Sequence, residues 1–502
     1  MKDKSSSLTH RAVSGMVWVA WGSGAMAVLK VVVLILLTRL LSPADFGLVG
    51  AALVVISFSL NFSQVGLGPA VVQRPTLERR HVSTAFVAST AFGFLVGAVI
   101  WLSAPLISQF FHMEHLTSVV RWLALVFPIS GIGTVPDSLL TRDLRFRLIA
   151  NRDVLAYGLG YGGIGIALAL LGWGVWALVA AQLAQTVIRT VILLHAAHPF
   201  LNARPSWRSF IELMEYGVGQ SVARLGVILA NQVDNLVVGR WLGAVPLGLY
   251  SRAYQLMSVP TGLLGDVLDR VLFPTMARVQ DDPRRLGSAY LQGVAAMALV
   301  TLPAGVAAAV LAPSLITVAF GPRWEAMIPP FQVLTLGMIF RTSSRMSDSL
   351  SRATGRVYRR AWRQLLFAGM VFLGAWIGQR WGVTGVASGV LCALFLNYLS
   401  MAQLSLSVVP VSWGKFFQAQ MPALRLAILV GLVALGVTAG AHRVGLPVFA
   451  TLAGGIIAAG SAAALAAWLA PTFVLGEYGM RMRDTLAAQV AQLRPFRLRR
   501  PA

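Results

Sequence analysis

The run Val28-Leu29-Lys30-Val31-Val32-Val33-Leu34-Ile35-Leu36-Leu37, followed at once by Thr38-Arg39-Leu40-Leu41-Ser42-Pro43-Ala44-Asp45-Phe46-Gly47, decides how this chain is read. The apolar stretch that it closes begins near Ala12, behind a polar N-terminus carrying Lys2, Lys4 and Arg11. It is too long for a cleaved signal peptide and long enough to cross a bilayer, which takes about 20 mostly apolar residues. Stretches of the same kind recur down the chain. By that measure there are about fourteen spans, near 12–38, 46–70, 82–107, 117–140, 150–171, 175–197, 213–239, 246–269, 288–312, 326–351, 361–379, 383–408, 419–440 and 446–470. Of the 502 residues 57% are hydrophobic and 12% charged, the latter about half the usual share. With mean hydropathy at +0.73, the apolar side chains could not all hide in a water-soluble globule. The expected fold is an all-α polytopic membrane protein.

A net charge of +23 and a pI near 11.5 would point to nucleic acid in a soluble chain. Membrane topology explains them better. With the N-terminus in the cytoplasm, 28 of the 41 Lys and Arg fall inside and five outside (Arg39, Arg240, Arg323, Arg380 and Arg443), as expected of a multi-pass chain with both termini cytoplasmic. No nucleic-acid partner is expected. A single cysteine, Cys392, excludes a disulfide framework or a cysteine zinc cluster. No loop is long enough to fold as a domain, so function resides in the bilayer or at its surface.

The opening motif has a counterpart. Gly239-Arg240-Trp241-Leu242-Gly243-Ala244-Val245-Pro246-Leu247-Gly248 also places Arg eight residues before Gly, at an offset of 201. Trp173-Gly174-Val175 pairs with Trp381-Gly382-Val383, and Leu140-Thr141-Arg142 with Leu350-Ser351-Arg352, at offsets of 208 and 210. Three matches in order, each at the same place in the span count, indicate duplication of a six-helix unit. Two such units, entering from the same side, are expected to be related by a pseudo-two-fold axis along the membrane normal, with a substrate site between them. The expected organisation is a six-helix lobe over 1–200, a second over 201–410, two additional helices in 411–475 and a basic cytoplasmic tail over 476–502.

Ionisable residues inside spans are costly and mark cavities or partners. The basic ones (Lys30, Arg121, Arg189, Arg224, Arg252, Arg341, Arg345, Arg425) outnumber the acidic ones (Asp137, Asp234, Asp266, Asp269, Asp348). In span 7, Gln220, Arg224, Asn231, Asp234 and Asn235 project within roughly 100° of one another, and in span 10, Arg341, Arg345, Asp348 and Arg352 within roughly 60°. Span 2 offers Asn61 and Gln64. The cavity-lining set is therefore Arg224, Arg341, Arg252, Lys30, Arg345, Asn231, Asn61 and Gln64, with Asp234 either a structural partner or a coupling group. Blander readings stand beside some of these residues. Asp137, Asp269, Arg352 and Arg425 lie near span ends and suit interfacial anchors, Arg189 suits snorkelling, and Arg345 and Asp348 at i, i+3 suit mutual neutralisation. A cavity with surplus arginine prefers an anion, because guanidinium grips phosphate oxygens at two points and keeps its charge.

Other signals carry little. Gly158-Leu159-Gly160-Tyr161-Gly162-Gly163 fits a dinucleotide pattern but lies inside a span, where glycines serve packing. His112 and His115 in a short loop lack a full ligand set. No nucleotide-binding P-loop occurs, and no cofactor, metal or catalytic group is expected.

Five segments together resemble a known family. They are Leu40 to Gly47, Asp234-Asn235-Leu236-Val237-Val238-Gly239-Arg240, Leu249-Tyr250-Ser251-Arg252-Ala253-Tyr254-Gln255-Leu256, Val271-Leu272-Phe273-Pro274 and Gly321-Pro322-Arg323-Trp324-Glu325. Over residues 10 to 400 the chain is similar to the Wzx-type, colanic-acid-exporter-like polysaccharide flippases of the multidrug/oligosaccharidyl-lipid/polysaccharide exporter superfamily. The resemblance implies a V-shaped alternating-access transporter of two six-helix bundles in a bacterial inner membrane. It implies an undecaprenyl-diphosphate-linked oligosaccharide as substrate, and the polysaccharide polymerase and chain-length machinery as partners. It supplies no residue-level motif, so the site residues rest on span position and helical face. The alternatives are a cation-coupled multidrug exporter of the same superfamily, which would want carboxylates in its cavity, and a membrane polymerase or ligase, which would want a sizeable extramembrane segment.

Overall fold

A computed structural model describes the chain except residues 1, 65, 198–202, 481–482 and 484–502, and the side chains of residues 2–20, 61–64, 216–225, 227–228, 263–264, 266–275 and 357. The described residues are helical almost throughout and include no β-strand. In chain order the helices are α1 (Lys2–Leu40), α2 (Pro43–Gln64), α3 (Leu67–Gln73), α4 (Arg79–Phe111), α5 (Leu116–Leu123), α6 (Val126–Arg142), α7 (Phe146–Tyr157), α8 (Ile166–Leu170), α9 (Val175–Ala197), α10 (Trp207–Val237) and α11 (Ala244–Arg278). After them come α12 (Pro283–Val310), α13 (Ala312–Ala319), α14 (Ile328–Leu336), α15 (Met338–Ala353), α16 (Val357–Gly378), α17 (Gly382–Leu406), α18 (Trp413–Gln418), α19 (Met421–Val444) and α20 (Val448–Leu469).

Ten helical stretches among the described residues are long and apolar enough to cross a membrane. They cover the expected spans 1–6, 9, 13 and 14, and they join spans 11 and 12 into Tyr358–Leu406, which is interrupted at Gln379–Trp381. Spans 7, 8 and 10 are helical but not among the ten. Span 10 has a plain reason: it breaks at Gly337, and α15 carries Arg341, Arg345, Asp348 and Arg352 within 16 residues.

The chain divides into two compact units, Met1–Arg252 with Ala368–Val386, and Ala253–Phe367 with Ala387–Ala502. In the first, the motif Ser42-Pro43-Ala44-Asp45 starts α2. The Ser42 amide and hydroxyl donate to Asp45 Oδ2 at 2.9 and 2.6 Å, and the Asp45 amide donates back to Ser42 Oγ at 3.3 Å. This reciprocal cap satisfies amides that a helix start leaves unpaired, and Pro43 has none to satisfy. Gly47, at the end of the motif, then allows a close crossing. A Cβ there would lie 1.7 Å from the Ala244 carbonyl oxygen, and one at Gly248 would lie 1.9 Å from that of Pro43. The two copies of the repeat thus meet in a reciprocal backbone contact that admits no side chain, which explains why each copy keeps a glycine eight residues after its arginine. The Gly158–Gly165 run is a π-helical stretch laid on α9, where a Cβ at Gly160 would lie 2.8 Å from the Gln185 Cβ. It is a packing surface.

The second unit is built round Met276, Leu286, Tyr290, Met346, Leu350, Tyr398 and Phe416. Tyr290 stacks on Phe416 with centroids 6.2 Å apart, and its hydroxyl meets Ser347 Oγ at 2.9 Å, so a large ring is buried with its polar tip satisfied. In the same unit α19 and α20 pack through Leu426, Val430 and Ala459, with small residues allowing close approach as is usual between membrane helices.

Candidate functional site

In the first unit, α1, α6, α7 and α9 border two adjoining cavities of 180 and 310 Å³ that share Gln185 and Arg189. Helix α9 is apolar except along one face, where Gln182, Gln185, Thr186, Arg189 and Thr190 recur at helical spacing. Asp137 on α6 and Thr134 a turn before it complete the smaller cavity, and Lys30, Ser23 and Asp153 line the larger.

A ring of charge closes this site. Arg152, whose side chain is 1% exposed, binds Asp137 and donates to Asp153 Oδ1 from Nε at 3.0 Å and from a terminal nitrogen at 2.9 Å. Arg189 donates to Asp137 Oδ2 at 3.0 Å and lies 3.8 Å from Asp153. Two guanidinium groups are thus matched by two carboxylates. A lone buried charge would be far costlier than this arrangement.

Lys30 and Arg252 are not so matched. Arg252, early in α11, sets its guanidinium 4.9 Å from the centre of the Phe46 ring, and its Nε is buried without an acceptor. Tyr157 and Tyr161, stacked at 5.1 Å, lie within electrostatic range of it. Tyr161 donates to Gln182 Oε1 at 2.8 Å, which ties this end of the site to the smaller cavity. Among the described residues neither Arg252 nor Lys30 forms an ion pair. The site keeps two positive charges in surplus, the condition that an anionic ligand relieves.

The other expected residues are placed as follows. Asp234 is 1% exposed. Its carboxylate accepts from the Tyr250 hydroxyl and from the Asn235 amide, both at 2.8 Å, so it is bound into the packing of α10 on α11. Asn231 lies one turn earlier on α10, partly buried. In the second unit, Arg341 donates to the Tyr254 hydroxyl and stands 5.0 Å from that ring's centre. Arg345 packs on α11 so closely that a Cβ at Gly265 would lie 2.3 Å from a guanidinium nitrogen. Asp348 is held by Arg352 at 3.3 Å and by Arg360. The side chains of Arg224, Asn61, Gln64, Asp266 and Asp269 lie outside the described residues. Of the expected cavity set, Lys30 lines the larger cavity, Arg252 lies near Tyr161 beside the smaller one without lining either, and Arg341 and Arg345 belong to the other unit.

Sequence reasoning missed Arg152, Asp153, Gln182, Gln185 and Tyr161. The polar face of α9 was there to be found, since Gln182, Gln185 and Arg189 fall at i, i+3, i+7 in an apolar run. Arg152 and Asp153 sit at the edge of span 5, where charge reads as loop. No group of three or more His, Cys, Asp or Glu suited to a metal ion occurs among the described residues.

A family model described as polysaccharide biosynthesis protein matches residues 36–329. The chain is 26% identical to the teichuronic acid biosynthesis protein TuaB of Bacillus subtilis over 446 residues, 86% of this chain and 90% of that one. It is 24% identical to the lipopolysaccharide biosynthesis protein WzxC of Escherichia coli over 450 residues, 86% of this chain and 89% of that one. Among solved structures it superposes on the lipid II flippase MurJ, in an inward closed conformation, with a TM-score of 0.71 and 10% sequence identity, over 91% of this chain and 99% of that one. At that identity the likeness to MurJ is one of fold, an all-α multi-pass membrane architecture.

Proposed function

We propose that this chain, which belongs to the polysaccharide biosynthesis protein family, is a flippase for an undecaprenyl-diphosphate-linked oligosaccharide repeat unit. The repeat unit passes from the cytoplasmic to the periplasmic leaflet of a bacterial inner membrane, for exopolysaccharide, capsule or O-antigen assembly. The observation that carries this reading is the unmatched pair Lys30 and Arg252 beside a polar cavity. A guanidinium buried without a carboxylate is costly in a membrane helix, and a diphosphate relieves that cost through charge-assisted hydrogen bonds. The lipid tail need never leave the bilayer. The cavity's two carboxylates are both engaged by arginine, which leaves neither for a cationic drug and speaks against a multidrug exporter.

The proposal extends to Arg224, Arg341, Arg345, Asn231, Asn61 and Gln64 as further contacts along the route, and to Asp234 as the coupling group. Lobes over 1–200 and 201–410 carry the alternating-access cycle, with two further helices in 411–475. The lysine and arginine bias puts both termini, including the tail over 476–502, in the cytoplasm. Polymerase and chain-length proteins act next on the delivered unit. The test is to delete the protein and locate the lipid-linked repeat units. Accumulation on the cytoplasmic leaflet, relieved by the intact chain and not by Lys30→Ala/Arg252→Ala, is the expected result. Accumulation on the outer leaflet, or full rescue by the double variant, overturns the reading.

A further inference from the structure

A second feature of the first unit lies away from this cavity and does not depend on the transport reading. Between α4 and the start of α10 runs an apolar groove of 490 Å³, walled by Val87, Ala91 and Leu95 on one side and Pro205, Trp207 and Phe210 on the other. Its shape is fixed. The Ser206 amide donates to Thr84 Oγ1 at 2.9 Å, and Phe210 stacks between Trp207 at 5.1 Å and Phe92 at 6.4 Å. Val87, Leu95 and Trp207 are nonetheless about half exposed or more, so the groove opens sideways, toward lipid.

Length and charge identify an occupant. From Thr84 to Leu95 is eleven residues of helix, about 16 Å at 1.5 Å per residue, which is close to half of a ~30 Å hydrocarbon core. The groove is one leaflet long. That suits a phospholipid acyl chain and is short for a polyprenyl tail. One end carries Trp207, a residue type that favours headgroup depth, and with it Arg79, Arg80, Arg204 and Arg208. Among the described residues, Glu78 pairs with Arg80 at 2.6 Å, Glu212, already engaged by Arg74 at 2.5 Å, meets Arg208 at 3.2 Å, and Arg204 forms no ion pair. The Arg208 side chain remains 84% exposed. We propose that this groove is a binding site for an anionic phospholipid, with one acyl chain against Ala91 and Phe210 and the phosphate among Arg204, Arg208 and the start of α4.

Native mass spectrometry of the purified full chain tests this with three probes: phosphatidylglycerol, phosphatidylcholine and undecaprenyl phosphate. The wild type should retain phosphatidylglycerol over phosphatidylcholine by on the order of tenfold, the scale that uncompensated arginines provide at a membrane surface. Ala91→Phe, which fills the groove, should reduce both adducts. Arg204→Gln/Arg208→Gln, a surface change that leaves the groove intact, should bring phosphatidylglycerol down to the phosphatidylcholine level. Equal retention of the two phospholipids by the wild type, or unchanged adducts in either variant, overturns the proposal. So does displacement of phosphatidylglycerol by undecaprenyl phosphate, which would make the groove a site for the polyprenyl tail. None of these outcomes bears on where lipid-linked repeat units accumulate, so failure here is distinguishable from failure of the flippase reading.

Discussion

Where α6, α7 and α9 meet, Arg152 and Arg189 are each answered by carboxylates, whereas Lys30 in α1 and Arg252 in α11, bordering the same site, are answered by none among the described residues. The residue types are alike, and exposure does not sort them, since each set holds one exposed member (Arg189, Lys30) and one that is more buried (Arg152, Arg252). What differs is stoichiometry. A matched ring removes its own field and serves to fasten three helices together. An unmatched guanidinium keeps its field for something that arrives from outside. Residue type and depth alone therefore do not separate a structural arginine from a functional one; the count of partners does.

The largest expected effect tests the matched side. Arg152→Met keeps the aliphatic volume but leaves Asp137 and Asp153 to share Arg189 alone among the described residues. Removing one member of a buried ion pair costs about 3–5 kcal/mol, and because both carboxylates are partly exposed and keep Arg189 the loss should sit below that range, at about 2 kcal/mol. A thermal melt of the purified protein should show a clear drop in Tm. Arg252→Met should do the opposite. It removes a desolvated charge with no partner, so Tm should hold or rise, while export of lipid-linked units falls roughly 10- to 100-fold, the worth of one charged hydrogen-bonding contact. Lys30→Ala should act in the same direction more weakly, since Lys30 is exposed to begin with. If Arg252→Met melts as low as Arg152→Met, the contrast between the two sets is broken.

How much of this was legible in the sequence depends on distance along the chain. Lys30 stands alone in an apolar run and declares itself, and Arg252 does so as the one Lys or Arg of its expected span over 246–269. The Ser42-Pro43-Ala44-Asp45 cap and the Gly47 and Gly248 crossing are legible as a repeat, because each copy carries its own signal. The ring was not. Asp137 reaches Arg152 across a turn 15 residues along and Arg189 across 52, and helical periodicity says nothing about which faces converge. Asp348 illustrates the same limit: Arg352 at i+4 is readable on one helix, but Arg360 comes from the next helix after a turn that the sequence does not orient. The Gly158–Gly165 run could be recognised as packing, yet neither its π-helical winding nor its seat on α9 is written in its periodicity.

Arg345 belongs to neither set yet, and Gly265 offers a way to assign it. Gly265→Ala puts a methyl group where the guanidinium now rests and must push it aside. A crowded substitution of this kind costs about 1–3 kcal/mol when the neighbour is rigid and less when it can swing. If Arg345 serves a ligand as Arg252 does, export should fall several-fold with Tm nearly unchanged. A lowered Tm with normal export would place Arg345 with the matched, structural arginines instead.

The smallest effect extends the comparison to a matched charge in water. Just ahead of span 7, Glu212 accepts from His81 Nε2 at 3.1 Å, from Arg74 at 2.5 Å and from Arg208 at 3.2 Å. The Glu78 amide donates to His81 Nδ1 at 3.2 Å, so Nε2 carries the hydrogen that faces the carboxylate. These contacts, the His81 hydrogen bond first and Arg74 after it, hold the Glu212 carboxyl below the ordinary carboxylate range. A carboxyl lowered in the folded state favours folding above its unfolded value of about 4.3, and the contribution is lost as pH falls through the lower folded value. Glu212→Gln should therefore melt slightly below the wild type at pH 7, and the two curves should converge as pH falls from the unfolded value through the lower folded one. The gap should be far smaller than that of Arg152→Met, because water and salt screen a pair at the surface. A gap that persists unchanged at low pH would mean that the glutamate acts through packing, and that matched charge fastens helices in this protein only where the bilayer excludes water.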